Sequence, residues 1–190
     1  ATRERISSLI QTADHVHLAT HGFFESSGFA MATFKEDRGV KAQARATTQG
    51  QKRDPLASSG IILSTATENE PVEILTAGEM VALNLERCRT ITLSACETGL
   101  GTAEPGQGVL GLRASLMAAG ARCMLMSLWK VPDDPTVLLM EEYYRGVLEK
   151  KLPPAQCLRL AQEAVKKKGG ILENPYHWGA WVLVGESWRN

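Results

Sequence analysis

One histidine and one cysteine stand where a thiol nucleophile and its base could meet. His21 follows the apolar run 16–20, and Cys96 follows the β-branched, apolar run 90–95. Both runs are typical of buried strands, and open parallel sheets bind ligands beyond the carboxyl ends of their strands. If the two strands are neighbours, His21 and Cys96 face one crevice. The functional interpretation depends on this structural prediction.

The chemistry that fits this pair is acyl transfer by a thiolate. A thiol attacks a carbonyl well only as a thiolate, which a nearby imidazole can provide. The same imidazole can protonate the leaving amine near neutral pH. The backbone N–H groups of Gly22 and Cys96 would form the oxyanion hole. Each residue also has an ordinary interpretation, because a single histidine or cysteine at a strand end more often satisfies a polar neighbour or packs in the core.

Apolar runs alternate with helical segments along the chain. The predicted strands are 16–20, 60–64, 72–75, 90–95, 122–129 and 180–184. The predicted helices are 2–12, 76–85, 109–119, 135–150 and 154–168. Short, continuous apolar strands between helices indicate an α/β fold with a mostly parallel sheet covered on both faces.

Composition argues against several functional classes. The 190 residues, 44% of them hydrophobic, suit one domain with a sizeable core. The 21 basic and 21 acidic residues cancel, so charge points neither to direct nucleic-acid contact nor to a membrane surface. No apolar run is long enough to span a membrane, and the N-terminus lacks a secretory signal's apolar core, so we expect a cytoplasmic protein. The spacing of the four cysteines predicts neither a metal site nor a cofactor.

Several blocks of the sequence resemble the CHAT domain family, in the clan of caspases, separases and gingipains. In the family's order, the blocks are ATHG at 19–22, LSACETG at 93–99, GL at 111–112, AAGA at 118–121, SLW at 127–129 with 131 and 133, and PYHWGAW at 175–181. The resemblance implies one caspase-like three-layer sandwich over 1–190, a Cys–His peptidase dyad, and frequent fusion to tetratricopeptide repeats (TPR). Family domains begin about two strands earlier, so the sheet should have an open edge here. A further N-terminal segment or a partner chain, such as a TPR-containing one, would complete the sheet.

The resemblance also implies a substrate pocket near the end of the strand predicted at 122–129. Ser127 and Trp129 would line it, and Asp133 matches a family acid at the wall of the pocket for the residue before the cut. A buried carboxylate there would favour Arg or Lys in the substrate. Alternatively, Asp133 caps the helix that begins near Pro135, and Trp129 belongs to the core.

A long polar stretch at 35–58 is predicted to be a flexible loop. It contains six basic residues, Lys35, Arg38, Lys41, Arg45, Lys52 and Arg53. A protease that prefers basic residues could cut itself there. The alternative is a plain disordered insertion.

The function predicted from these features is that of a cysteine endopeptidase. It would cleave a specific protein through a thioester acyl-enzyme, with activation by a sensor module or partner in a bacterial defence or cell-death pathway. Two alternatives stay open: a non-catalytic interaction module, and another acyl-transfer enzyme. Among the other histidines, one of His15 and His17 is expected to line the core, and His177 is expected to pack the last strand.

Overall fold

The computed structural model describes residues 3–20, 22–24, 56, 59–63, 73–94 and 107–186. His21, Cys96 and the predicted loop 35–58, apart from Leu56, lie outside the described residues. The strands are β1 His15–Ala19, β2 Gly22–Phe24, β3 Ser59–Leu63, β4 Glu73–Thr76, β5 Thr90–Ser94, β6 Cys123–Ser127 and β7 Trp181–Gly185. The helices are α1 Arg3–Thr12, α2 Ala77–Val81, α3 Gln107–Ala118, α4 Asp133–Tyr144 and α5 Pro154–Lys166. A π-helical turn at Arg145–Glu149 follows α4, and two 3₁₀ turns, Gly170–Glu173 and Pro175–His177, precede β7.

The central sheet has the strand order β1-β5-β6-β7. β1, β5 and β6 are parallel, and β7 runs antiparallel to β6. The predicted mostly parallel sheet is therefore confirmed. Within the described ranges β1 pairs only with β5, so the other side of β1 is an edge of the sheet.

A second, three-stranded antiparallel sheet has the order β2-β3-β4. β3 and β4 form the predicted pair, in which Ile61 lies opposite Leu75. β2 pairs with β3 from the other side, with Gly22 opposite Ile61. The chain thus leaves the central sheet after β1 and enters the smaller sheet at Gly22.

Two apolar cores lie on opposite faces of the central sheet, because successive side chains of a strand point to opposite faces. On β6, Met124 and Met126 belong to the core shared with α1, α2 and α3. Leu125 belongs to the core shared with α4 and α5. The arrangement is helix, sheet, helix, as expected for a three-layer α/β sandwich. None of the helices in the described ranges is both long and apolar enough to cross a bilayer.

Several predicted element ends differ from the observed ones for local reasons. The Thr76–Glu79 capping box is present, but α2 ends at Val81, and Leu85 instead donates its N–H to the Ala119 carbonyl at 2.7 Å. β6 ends at Ser127 rather than at 129, and the Leu128 N–H then donates to the carbonyl of Ala180.

The predicted helix 135–150 begins two residues earlier, at Asp133, and its last turn is π-helical. Pro135 is tolerated in the first turn because the N–H that it lacks would have no partner in the helix. The two acids of that turn, Asp133 and Asp134, interact favourably with the helix dipole.

Candidate active site

β1 and β5, the strands that precede His21 and Cys96, are direct parallel neighbours. Their register pairs Ala19 with Ser94 at the carboxyl ends of both strands. Along the sequence, His21 comes two residues after Ala19, and Cys96 comes two residues after Ser94. The predicted adjacency of the two strands is confirmed. The contact between His21 and Cys96 remains a prediction, since both lie outside the described residues.

The two described residues that flank position 21, Thr20 and Gly22, contact or belong to the smaller sheet. Before it, the Thr20 hydroxyl donates to the carbonyl of Ile62 on β3. After it, Gly22 is buried and opens β2. The predicted roles of the Gly22 and Cys96 N–H groups in an oxyanion hole stay predictions.

The face of the central sheet toward α4 is polar along β1 and β5. His15 and His17 on β1 lie beside Thr90 and Thr92 on β5. His15 Nδ1 lies 2.7 Å from Thr90 Oγ1, and the His17 ring lies against Tyr144 of α4. The prediction that one of these histidines lines the core is wrong, because the buried side chain of β1 is Val16.

The three described cysteines are poor candidates for the nucleophile. Cys88, Cys123 and Cys157 are all buried free thiols, as expected for core residues. Burial raises the pKa of Cys88 and of Cys123 to about 11, and it also raises the pKa of Cys157. At neutral pH these thiols are protonated and therefore unreactive. Cys96 is the remaining cysteine of the sequence.

Ser127 lies at the carboxyl end of β6, next to the end of β5. Its side chain is buried, and its Oγ makes no hydrogen bond with any described residue. Trp181 lies opposite Ser127 across the β6–β7 pair. The Trp181 indole N–H is likewise buried and without a partner in the described part of the chain. Two register partners at this end of the sheet thus each carry a buried polar group without a partner among the described residues.

Trp129 is held at the surface by Tyr176, a residue that the sequence analysis does not single out. Its indole N–H donates to the Tyr176 carbonyl at 3.0 Å, and the two rings stack with centroids 6.5 Å apart. The Tyr176 hydroxyl donates in turn to the carbonyl of Lys130 at 2.9 Å. Both side chains are partly exposed, 38% for Trp129 and 49% for Tyr176. Trp129 is therefore a fixed, accessible aromatic surface and not a core residue.

Asp133 is exposed in the first turn of α4. The N-cap is Pro132, which makes no side-chain capping bond. Asp133 is therefore neither the buried carboxylate nor the N-cap that the sequence suggested. It comes four residues after Trp129, at the end of the connection between β6 and α4.

His177 is buried, as expected from its place beside the last strand. Its ring meets the Tyr176 ring edge-on at 5.4 Å. Within the described residues, no group of three or more His, Cys, Asp or Glu side chains is placed to hold a metal ion.

An apolar groove of about 380 Å³ runs along the side of β1 that pairs with no strand in the described part of the chain. α1 contributes Ile6, Leu9 and Ile10, and β3 contributes Ile61 and Leu63. Leu9 is 58% exposed. An exposed sheet edge beside apolar surface is a typical site for an added strand.

The sequence profile of the CHAT domain family matches residues 1–186. Tetratricopeptide repeat protein 28 from Homo sapiens and its counterpart from Mus musculus are each 25% identical to this chain over 97% of its length. The chain spans about 8% of the length of these relatives.

Proposed function

The chain belongs to the CHAT domain family, and we propose that it is a cysteine endopeptidase with Cys96 as nucleophile and His21 as base. The observation that carries this proposal is the in-register parallel pairing of β1 and β5, which end two residues before His21 and Cys96. Caspase-like membership supplies the reaction class, and the high pKa of the other thiols leaves Cys96 as the reactive one.

The reaction would proceed through a thioester. The Cys96 thiolate forms a bond to the carbonyl carbon of the scissile peptide, and the Gly22 and Cys96 N–H groups stabilise the resulting oxyanion. His21, protonated by the thiol, donates that proton to the leaving amine as the C–N bond breaks. Water, deprotonated by His21, then attacks the thioester. This step releases the carboxylic acid and restores the thiol.

Substrate binding would use the connection between β6 and α4. Ser127 offers a buried hydroxyl without a described partner, Trp129 offers a fixed aromatic face, and Asp133 offers an exposed negative charge. An exposed acid and an exposed aromatic face within four residues of each other would favour Arg or Lys in the substrate, through ion pairing and cation–π contact. Comparing the cleavage of fluorogenic peptides that end in Arg, Leu or Asp tests this preference. Asp133→Asn should weaken the cleavage of the Arg peptide alone.

The groove beside β1 would be covered by an N-terminal segment or by a partner chain, and the TPR relatives make a TPR-containing polypeptide the proposed source. By covering or uncovering this groove, a sensor module could control the peptidase in a cytoplasmic defence or cell-death pathway. Hydrogen exchange in the intact protein tests the coverage. The β1 amides should exchange slowly, and Leu9→Asp, which places a charge in the groove, should make them exchange faster.

A cysteine-directed activity probe tests the central proposal. Labelling at Cys96 and peptide cleavage should both disappear in Cys96→Ala and in His21→Ala. Cys88→Ala and His15→Gln are matched controls outside the proposed dyad, and they should keep both signals. Labelling of Cys96 that persists in His21→Ala would contradict a dyad mechanism.

A non-catalytic interaction module is the second candidate, and the observation that favours it is the apolar groove along an edge of β1 that pairs with none of the described strands. In that case partner binding should be unaffected by Cys96→Ala and should be lost in Leu9→Asp.

A further inference from the structure

We propose that Tyr144 is a positioning residue for the Cys96–His21 pair, an inference that rests on the function proposed above. The Tyr144 hydroxyl donates to Thr92 Oγ1 on β5 at 2.7 Å. Its ring lies 5.6 Å from the His17 ring on β1, with the planes tilted by 31°. Thr92 and His17 are register partners. The Tyr144 side chain therefore contacts both members of one register pair, His17 on β1 and Thr92 on β5, which we call the His17–Thr92 rung.

In the sequence, this rung lies the same number of residues before each member of the proposed dyad. Cys96 comes four residues after Thr92, and His21 comes four residues after His17. β1 is an edge strand whose main-chain pairing within the described ranges is with β5 alone. Tyr144 adds a side-chain contact across that pair, which limits how far β1 can tilt or slide against β5. A small displacement of His17 or Thr92 would therefore also move the carboxyl ends of β1 and β5.

Tyr144 is itself held firmly. It is the last residue of α4, and the Tyr143 ring meets its ring edge-on at 5.3 Å. The π-helical turn that follows is tied back by a hydrogen bond from the Leu152 N–H to the Gly146 carbonyl, 3.1 Å long. π-helical turns are rare and often lie next to functional sites.

The test removes the hydrogen bond between Tyr144 and Thr92 by changing either partner. Tyr144→Phe deletes the donor, Thr92→Val deletes the acceptor, and the double variant deletes both. Tyr143→Phe is the matched control, because the Tyr143 hydroxyl has no hydrogen-bond partner in the described part of the chain. Each variant of the intact protein is assayed for iodoacetamide alkylation of Cys96 as a function of pH, and for kcat and KM on a fluorogenic Arg peptide.

Tyr144→Phe and Thr92→Val should each lower kcat and the alkylation rate at pH 7 by about twofold to tenfold, the effect of losing one hydrogen bond. The midpoint of the pH profile should move upward, and KM should stay unchanged. The double variant should be no slower than either single variant, and Tyr143→Phe should behave as wild type. Thr76→Ala, which weakens α2 away from this rung, controls for a general loss of stability and should leave the pH profile in place.

A wild-type pH profile and kcat in Tyr144→Phe, or additive effects in the double variant, would overturn the positioning role while leaving the dyad intact. If the proposed function is wrong, the alkylation experiment should give a different result. In that case the Cys96 alkylation of the unsubstituted protein would already be insensitive to His21→Ala, and both proposals would fall.

Discussion

Gly146, in the π-helical turn after α4, shows how closely α4 and α5 pack. A Cβ at this position would lie 2.6 Å from Cys157 Sγ and 3.1 Å from Cys157 Cβ. Both residues are buried, so neither has room to move. Only glycine permits this approach between the two helical segments.

We therefore expect Gly146→Ala to lower the free energy of unfolding by about 1–3 kcal/mol, the usual cost of overpacking a core. Denaturant titration measures the change. Gly78→Ala in α2 is the control, because its new Cβ would meet Leu56 at ordinary contact distances of 3.5 Å or more. Cys157→Ala should offset part of the Gly146→Ala loss. Equal losses at Gly146 and Gly78 would contradict the steric argument.

His15 and His17 make stability depend on pH. Partial burial of the two rings lowers the pKa of both imidazoles below the ordinary 6.5. The unfolded chain then binds more protons than the folded chain as the pH falls below about 6.5, so acid favours unfolding. The melting temperature should fall between pH 7 and pH 5, and the fall should be smaller in a His15→Gln/His17→Gln variant. If the double variant keeps the full wild-type pH dependence of the melting temperature, titratable groups other than His15 and His17 cause that dependence.

For helices and strands, the sequence predicts those positions that neighbouring residues in the chain determine. Thr76 and Glu79 are sufficient to place the start of α2, and the β-branched run at 90–94 is sufficient to place β5. The sequence also leads to the expectation that β1 and β5 are neighbours, but it does not give their register, because alternation fixes only the face to which each side chain points. The contact of Tyr144 with Thr92 could not be predicted, because it depends on where α4 crosses the sheet. The Tyr176–Trp129 contact joins residues 47 apart in sequence for the same reason.

The predicted loop 35–58 is a proposed substrate of the protein's own activity. If the protease prefers basic residues, fragments cut after Lys or Arg within 35–58 should accumulate on incubation and be absent in Cys96→Ala. Intact-mass spectrometry detects them. His15→Gln should still produce the fragments. Identical fragments in Cys96→Ala would indicate a contaminating protease and a plain insertion.

For the whole molecule, the central sheet separates two cores that share few side chains. Ile91 on β5 belongs to the core with α1, α2 and α3, and Leu139 on α4 belongs to the core with α4 and α5. Both side chains are fully buried. The sheet backbone lies between them, so each core should respond to substitution independently.

Ile91→Val should cost about 0.5–1.5 kcal/mol and Leu139→Ala about 2–5 kcal/mol of unfolding free energy. The double variant should lose the sum within about 0.5 kcal/mol, because distant sites without shared partners are additive. Equilibrium denaturation of the four proteins measures the cycle. A coupling above about 1 kcal/mol would show that the two layers deform together.

The pairing of β1 with β5 also determines when the proposed active site can form during synthesis. His15 and Thr90, partners in that ladder, are 75 residues apart in the chain, and closing so long a loop is entropically costly and slow. During synthesis, β1 leaves the ribosome well before its partner strand, and β6 follows later still. A nascent chain therefore cannot assemble the proposed dyad until more than half of these 190 residues have been translated.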